Sequence, residues 1–170
     1  MKQFHIHPQW NIEDFKQLSY TEAPFHDDYK IDQYTSSGHN RENLNIYKYL
    51  EPNPMPSCVH EYVFSFFSEL NNLVSAVNLF KPASYLPYHS DSYTRYKELF
   101  NITTETIVRS VIMLEDWEPG QIILIKDQSF SGWKSGDCFS WENDTPHSFY
   151  NMSLVDRYAL QITGSMVKYG

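Results

Sequence analysis

Cysteine is scarce in this sequence: only Cys58 and Cys138 occur among 170 residues. Two thiols are too few for a disulfide framework or for a zinc site built from thiolates. Such low cysteine usage is typical of a reducing compartment, and we expect a soluble cytoplasmic protein. The sequons at Asn101, Asn143 and Asn151 should then carry no glycan, because glycosylation requires the secretory route.

Long apolar runs and an excess of positive charge are also absent. No run approaches the roughly 18–20 apolar residues of a membrane span, and the segment Met1–Trp10 lacks the apolar stretch of a secretory signal. Lys and Arg total 13 against 21 Asp and Glu, a formal net charge of −8. Because an acidic chain repels phosphate backbones, we expect neither a nucleic-acid nor a membrane partner. The acidity instead favours a neutral or cationic substrate, such as a peptide or an amino-acid-like small molecule.

The length fits a single domain spanning residues 1–170, and no repeat or linker divides it. Apolar residues make up 41% of the chain, enough for a folded core. Residues 1–70 alternate polar segments with short helical patterns and predict a mixed helix and loop support region. Residues 71–170 change to a β pattern and predict the core of the domain. Oligomeric state is not readable from these features.

Within the first region we predict a helical segment at residues 12–18 and another at 42–50, where Leu44, Tyr47 and Leu50 fall three apart. The many polar residues of 23–41 predict a loop. The apolar residues 59–73 fit a helical or a mixed rhythm equally, so their type stays open.

The second region contains seven short runs rich in Val, Ile, Tyr and Phe, with turn residues between them. The predicted strands are 74–80, 84–88, 107–114, 122–126, 137–141, 148–150 and 157–163. Seven short strands with few intervening helices predict a mainly β sandwich or barrel, with a few helices at the amino terminus. Residues 91–105 interrupt the pattern and predict a loop or short helix.

A His-x-Asp pair, His89 and Asp91, ends the second predicted strand. In an extended chain these side chains point to the same face and can reach one cation. Two histidines and one carboxylate suit Fe(II), because this set leaves coordination positions open. His147 opens a later strand and is our candidate for the second histidine. A second pair, His26 and Asp28, lies in the predicted loop 23–41 and lacks this β context.

Arg157 follows His147 by ten residues and opens the last predicted strand. A planar guanidinium there can hold a carboxylate through two hydrogen bonds. The set His89, Asp91, His147 and Arg157 resembles the Fe(II)/2-oxoglutarate-dependent oxygenases. The local pattern is most similar to the aspartyl/asparaginyl β-hydroxylase group, through a Trp-x-x-Gly turn at 133–136 that precedes the distal histidine. The resemblance covers roughly residues 84–163.

This resemblance implies a double-stranded β-helix, the jelly-roll or cupin-like barrel, that binds Fe(II) and 2-oxoglutarate and hydroxylates its substrate. It implies that His89, Asp91 and His147 hold the metal and form the catalytic centre, and that Arg157 binds the far carboxylate of 2-oxoglutarate. Arg109 occupies the place of a helper arginine on an earlier strand. The chain departs from the family pattern at Ala159, where many relatives have a serine.

Each of these residues also has a plainer interpretation. The three candidate ligands can form a polar cluster without a metal. Arg157 can pair with Asp156, Glu115 or Glu142, and Arg109 can be a surface charge. Trp133 and Trp141 are more often packing residues than ligand platforms, and the histidines of the first ten residues suggest a loose terminus.

Two other classes of function remain open. One is a cupin-type metal enzyme that does not use 2-oxoglutarate, and the other is a non-catalytic jelly-roll protein with a binding or structural role. The substrate, a peptide or a small molecule, lies outside the matched pattern. We expect its binding loop in 92–105, with Tyr93, Arg95 and Tyr96 as candidate contacts.

Overall fold

A computed structural model describes residues 1–167 of the chain. Its strands are β1 (Lys2–His5), β2 (Thr21–Pro24), β3 (Asn45–Leu50), β4 (Asn71–Phe80), β5 (Ser84–His89), β6 (Thr106–Met113), β7 (Gln121–Ile125), β8 (Gln128–Phe130), β9 (Asp137–Glu142), β10 (His147–Asn151) and β11 (Arg157–Met166). Its helices are α1 (Ile12–Lys16), α2 (Asp28–Ser36), α3 (Ser57–Glu61) and α4 (Thr94–Phe100), with 3₁₀ turns at Arg41–Leu44 and Val63–Phe67. Each of the seven predicted strands overlaps an observed one.

The strands form two antiparallel sheets. The larger has the order β1-β9-β6-β11-β4-β3-β2, and the smaller has the order β5-β10-β7-β8. From β4 to β11 the chain passes back and forth between the sheets, with the β7–β8 hairpin as the one pair of successive strands in the same sheet. This winding is a double-stranded β-helix, and it confirms the predicted fold class.

The main core lies between the two sheets. Alternate residues of each strand point inward, so Val111 and Met113 of the larger sheet meet Ile123 and Phe149 of the smaller one. The intervening residues of the larger sheet, such as Ile112, point outward into a second core. The amino-terminal helical segments cover that second face, and the larger sheet is therefore buried on both sides.

Two predictions for the amino-terminal region were wrong. Residues 42–50 form a 3₁₀ turn and then β3, which pairs with β4 from Tyr47 opposite Leu79 to Leu50 opposite Ala76. The apolar spacing fits a helix, but sheet pairing on both edges of β3 determines the structure. The predicted loop 23–41 contains α2, which the side chain of Asp27 caps by accepting a hydrogen bond from the backbone N–H of Lys30.

The other helical predictions fared better. Helix α1 lies within the predicted segment 12–18, and α4 lies within 91–105. The open segment 59–73 turns out mixed: α3 ends at Glu61, a 3₁₀ turn follows, and β4 begins at Asn71. No helix among residues 1–167 is long and apolar enough to cross a membrane.

The amino terminus is an ordered edge strand, contrary to the loose terminus expected from its histidines. Strand β1 pairs with β9, and His5 forms a 2.9 Å contact with Asp137. The chain then passes over Gly136, whose carbonyl accepts a hydrogen bond from the N–H of Ile6. Gly136 has a φ of +95°, and a Cβ there would lie 2.1 Å from the carbonyl oxygen of Ile6. The glycine of the Trp-x-x-Gly turn therefore serves the docking of β1.

Candidate metal centre

Sheet pairing brings the two predicted histidine ligands side by side. His147 at the start of β10 lies directly opposite His89 at the end of β5, and their ring centroids are 4.6 Å apart. Asp91 follows two residues after His89, and its carboxylate lies 3.8 Å from His89 Nε2 and 3.4 Å from His147 Nε2. One ligand atom from each residue lies within 4.8 Å of the others, close enough to share a metal ion.

Both imidazoles are oriented by backbone carbonyls. Nδ1 of His89 lies 2.6 Å from the carbonyl oxygen of Pro87, and Nδ1 of His147 lies 2.9 Å from that of Thr145. A carbonyl can only accept, so Nδ1 must carry the proton in each ring. The lone pair is then on Nε2, the atom that faces Asp91. Such outer contacts are typical of metal-ligating histidines, because they fix both the tautomer and the ring plane.

The surroundings of Asp91 and His147 favour the protonation states in which these side chains bind a metal. Burial alone would raise the pKa of Asp91, but the Arg109 guanidinium and the two histidines outweigh it and hold that pKa well below its usual range. Burial lowers the pKa of His147 to about 4. At neutral pH Asp91 is therefore ionised and His147 is neutral, as metal ligands must be.

Arg109 faces inward and is not a surface charge. Its Nη1 donates a 2.5 Å hydrogen bond to Oδ2 of Asp91, and its guanidinium stacks 4.7 Å from the ring centre of Tyr93. The contact of Arg109 with 2-oxoglutarate stays a prediction: Asp91 takes Nη1 of the guanidinium, whereas Nε has no hydrogen-bond partner in residues 1–167 and Arg109 lines the adjacent cavity. The structure gives Arg109 the role of holding the candidate carboxylate ligand in place.

The three candidate ligands open onto a cavity of about 580 Å³ between the two sheets. Its apolar wall includes Phe25, whose ring packs edge-on 5.1 Å from His89. The polar wall is formed by Lys48, Asn78 and Gln161 on adjacent strands of the larger sheet. The cavity thus joins the metal candidates to residues of the amino-terminal region.

Arg157 is buried close to this cavity without a polar partner. It is 2% exposed, and no group in residues 1–167 forms a hydrogen bond with any of its guanidinium nitrogens. Its guanidinium lies 4.1 Å from the ring centre of Phe80 and 5.4 Å from that of Phe149, and both rings line the cavity. Desolvation by burial lowers the pKa of Arg157.

The proposed ion pairs of Arg157 are not formed. Asp156 instead lies 3.8 Å from Lys81, and Glu115 lies 2.9 Å from Lys16. A buried cation without a hydrogen bond is costly, and the contacts of the Arg157 guanidinium include three aromatic rings. The structure therefore removes the plainer interpretation of Arg157 as a structural ion pair.

The tryptophans of the family-like pattern are packing residues, as expected. Trp133 lies 5.7 Å from the guanidinium of Arg157, and Trp141 lies 4.8 Å from the ring of His147. Both belong to the core between the sheets. Ala159 is fully buried on the same strand face as Arg157 and offers no hydroxyl, which leaves the departure from the family pattern in place.

The candidate substrate-loop residues lie outside the cavity lining. Tyr93 packs on Arg109, and Tyr96 is buried with its hydroxyl donating to the carbonyl of Asn72. Arg95 is exposed on α4. Of that segment only Ser92 lines the cavity among the described residues. The residues of the second His-x-Asp pair do not meet at the site: His26 lies in the cavity wall, whereas Asp28 is the first residue of α2 and does not line the cavity.

Comparison with known proteins supports the fold. No protein-family model and no curated protein sequence matches the chain. Among solved structures, a prolyl-4-hydroxylase from Pseudomonas putida superposes with a TM-score of 0.51 at 13% identity, covering 92% of this chain and 97% of that one. A cupin domain of Cnp3 from Schizosaccharomyces pombe has a TM-score of 0.45 at 8% identity, covering 73% and 74%. KdgF from Halomonas sp. has a TM-score of 0.43 at 10% identity, covering 73% and 81%.

The likeness to the prolyl-4-hydroxylase concerns the fold alone, agrees with the double-stranded β-helix seen in the strand order, and leaves the chemistry to the residues themselves. The donor set fits a divalent metal: two imidazoles and one ionised carboxylate converge on one side of a cavity. Three protein ligands leave further positions of an octahedral ion open to other molecules. The site can therefore bind a metal and present it to the cavity.

Proposed function

We propose that the protein is a non-haem Fe(II)- and 2-oxoglutarate-dependent oxygenase that hydroxylates a small-molecule or peptide substrate. The observation that carries this proposal is the combination of the His-Asp-His cluster with a buried arginine that lacks a polar partner in residues 1–167. A metal site alone fits many cupin-type enzymes. The additional buried cation beside the same cavity calls for an anion.

In this proposal His89, Asp91 and His147 hold the iron, and the Pro87 and Thr145 carbonyls fix the two imidazoles. Bound iron would supply the activation of dioxygen that is coupled to oxidation of 2-oxoglutarate to succinate and carbon dioxide. The chain itself supplies orientation, charge and a cavity between the two sheets.

Arg157 would neutralise the carboxylate of 2-oxoglutarate that does not bind the metal. The guanidinium lies behind Phe80 and Phe149, and both rings line the cavity. A rotation of either ring would expose the guanidinium to a bound diacid. The binding of the diacid would be stabilised by this exchange, because a charge-assisted hydrogen bond would replace a contact between the guanidinium and an aromatic ring.

The direct test is to add Fe(II) and 2-oxoglutarate to metal-free protein under anaerobic conditions and then to admit oxygen. We expect one metal per chain, a metal-to-ligand charge-transfer band that requires both components, and slow formation of succinate. Metal binding without the band or succinate would favour a cupin-type enzyme that does not use 2-oxoglutarate. Absence of metal binding would favour a non-catalytic jelly-roll protein.

Two variants locate the activity. His147→Ala should abolish metal binding and succinate formation while the far-ultraviolet circular dichroism stays that of the parent. His26→Ala is the matched control, because His26 lines the same cavity without joining the cluster, and it should keep both properties. Equal metal affinity in His147→Ala and the parent protein would exclude the proposed site.

Arg157→Ala should chiefly weaken 2-oxoglutarate binding. A hydrogen bond to a charged group contributes about 1.5–3 kcal/mol, which corresponds to roughly a tenfold to hundredfold rise in the dissociation constant. Metal affinity should stay within a factor of about three of the parent, since Arg157 contacts no candidate ligand in the described chain. Unchanged 2-oxoglutarate affinity would remove Arg157 from the site.

A further inference from the structure

A second cation without a close partner lies in the cavity wall. Lys48 is on the inward face of β3, which carries Ile46 and Leu50 into the same cavity. No described residue lies within hydrogen-bond or ion-pair distance of its ammonium group, and burial lowers its pKa to about 8. The nearby charges are Arg109, which lowers this pKa further, and Asp91, which raises it.

The polar neighbours of Lys48 also leave hydrogen-bonding capacity unused. Asn78 lies opposite Lys48 in the β3–β4 register, and its Nδ2 donates to Oε1 of Gln161 at 3.2 Å. Oδ1 of Asn78 is buried and has no hydrogen-bond partner in residues 1–167. Three adjacent strands thus place an ammonium group, an amide and an unused, buried acceptor in the cavity wall.

The distribution of charge shows that Lys48 is not needed to balance the metal ligands. Asp91 is already paired with Arg109, and Asp27, at another part of the lining, caps helix α2. In the proposed function, one carboxylate of 2-oxoglutarate binds the metal and Arg157 receives the other. The charge of Lys48 then remains for a different molecule.

We propose that Lys48 binds a carboxylate group of the primary substrate inside the cavity, so that the substrate is a carboxylate-bearing molecule. This inference rests on the proposed function, in which Arg157 binds 2-oxoglutarate and leaves Lys48 for the primary substrate. It differs from the neutral or cationic substrate that the net charge of the chain favours, because the charges that act on Lys48 are Arg109 and Asp91, which pair with each other. A single ammonium group matches one negative charge, and the unused acceptor of Asn78 suits a donor group beside that carboxylate.

The test uses propionate as a probe and propionamide as its neutral counterpart. Protein labelled with ¹³C at lysine Cε would be loaded with Zn(II), a redox-inert substitute, and saturated with 2-oxoglutarate. The Lys48 resonance is assigned by its absence from Lys48→Met. Propionate should shift this resonance and raise the pKa of Lys48, whereas propionamide should leave both unchanged.

Variants test whether propionate binding requires the charge of Lys48. Lys48→Met and Lys48→Gln should each weaken propionate binding at least tenfold, while Lys97→Met, at an exposed position on α4, should bind as the parent does. Affinity for 2-oxoglutarate should stay within a factor of about three in both Lys48 variants. Equal propionate affinity in the parent and in Lys48→Met would overturn the proposal.

Two further outcomes distinguish a failure of the Lys48 proposal from a failure of the proposed function. If Lys48→Met lowers 2-oxoglutarate affinity as much as Arg157→Ala does, Lys48 is a cosubstrate anchor, and the substrate-binding role is wrong. If neither Zn(II) nor 2-oxoglutarate binds the parent, the proposed function fails. The propionate titration on metal-free protein then still measures whether Lys48 binds a carboxylate.

Discussion

Replacing Arg157 by methionine should make the protein more stable, although it removes a charged contact from the core. The guanidinium is fully desolvated and has no hydrogen-bond partner in the described chain. Burial of an unpaired ion costs several kcal/mol. Contacts with Phe80, Trp133 and Phe149 return part of this cost, at up to about 2 kcal/mol for a desolvated cation–π pair.

The difference between these two effects gives the expected magnitude. Methionine retains much of the aliphatic volume and needs no solvation, so we expect a net gain of about 1–3 kcal/mol in the free energy of unfolding. For a chain of this length each kcal/mol raises the melting temperature by about 2–4 °C. The variant should therefore melt several degrees above the parent in thermal denaturation followed by circular dichroism, in a buffer free of carboxylates and phosphate.

The other arginines provide matched controls. Arg41 donates to Oδ1 of Asn45 at 2.7 Å and to the carbonyl of Phe25 at 3.0 Å, so Arg41→Met should lose about 1–2 kcal/mol. Arg95 is exposed, and Arg95→Met should stay within about 0.5 kcal/mol of the parent. A lower melting temperature for Arg157→Met, comparable to that of Arg41→Met, would show that the guanidinium has a partner and would refute this reasoning.

Ligand binding should offset most of this difference in stability. With metal present, 2-oxoglutarate at about 100 times its dissociation constant should add roughly 2.7 kcal/mol to the parent. The same concentration should add much less to Arg157→Met. Arg157→Met would then be more stable than the parent without ligand, and 2-oxoglutarate would raise its free energy of unfolding less than that of the parent.

Three further predictions follow from individual contacts. Lys48→Met should gain about 1–3 kcal/mol in the free energy of unfolding at pH 7. The gain should shrink as pH rises above about 8, because the folded pKa of Lys48 lies below its unfolded value and the folded lysine then loses its charge. Denaturant unfolding at pH 7 and at pH 9.5 measures this difference. Gly136→Ala should lose about 3 kcal/mol or more, because alanine is strained at positive φ and its Cβ would meet the carbonyl of Ile6. Removal of residues 1–6 should abolish only the part of this loss that comes from the contact with Ile6. Asn151→Ala should lose several kcal/mol in the same assay, since the buried amide donates to the Phe80 and Val155 carbonyls, and a loss below 1 kcal/mol would contradict that assignment.

The β region could be predicted from sequence because its physical signal is local. Its seven runs are rich in β-branched and aromatic residues, and turn residues separate them. The meeting of His89, Asp91 and His147 also follows from local rules, since alternation places His89 and Asp91 on one face and an antiparallel sheet returns His147 beside them. The sequence could not reveal which carbonyls orient the imidazoles, because that depends on the bulge and the turn next to each strand.

The amino-terminal part of the cavity could not be predicted, for a different reason. Leu44, Tyr47 and Leu50 fit a helical spacing, and only pairing with β2 and β4 makes this segment a strand. In a helix Lys48 would be one more exposed charge. In β3 the same lysine faces inward, because Ile46, Lys48 and Leu50 alternate with two outward tyrosines. Because the helical period was chosen over the strand period for this segment, Lys48 was not recognised as a candidate specificity residue.

Arg157 and Lys48 together favour a ligand-binding site over a purely structural jelly roll. Arg157 is buried and Lys48 is half-buried in the cavity wall, and neither charged group has a hydrogen-bond partner in the described chain. A scaffold selected for stability alone gains nothing from two such groups, since hydrophobic residues of similar volume would cost less. Both lie in or directly behind the cavity onto which the His-Asp-His cluster opens. Both cations lower the stability of the fold, and their presence is most simply explained by anions that bind in this cavity and pair with them.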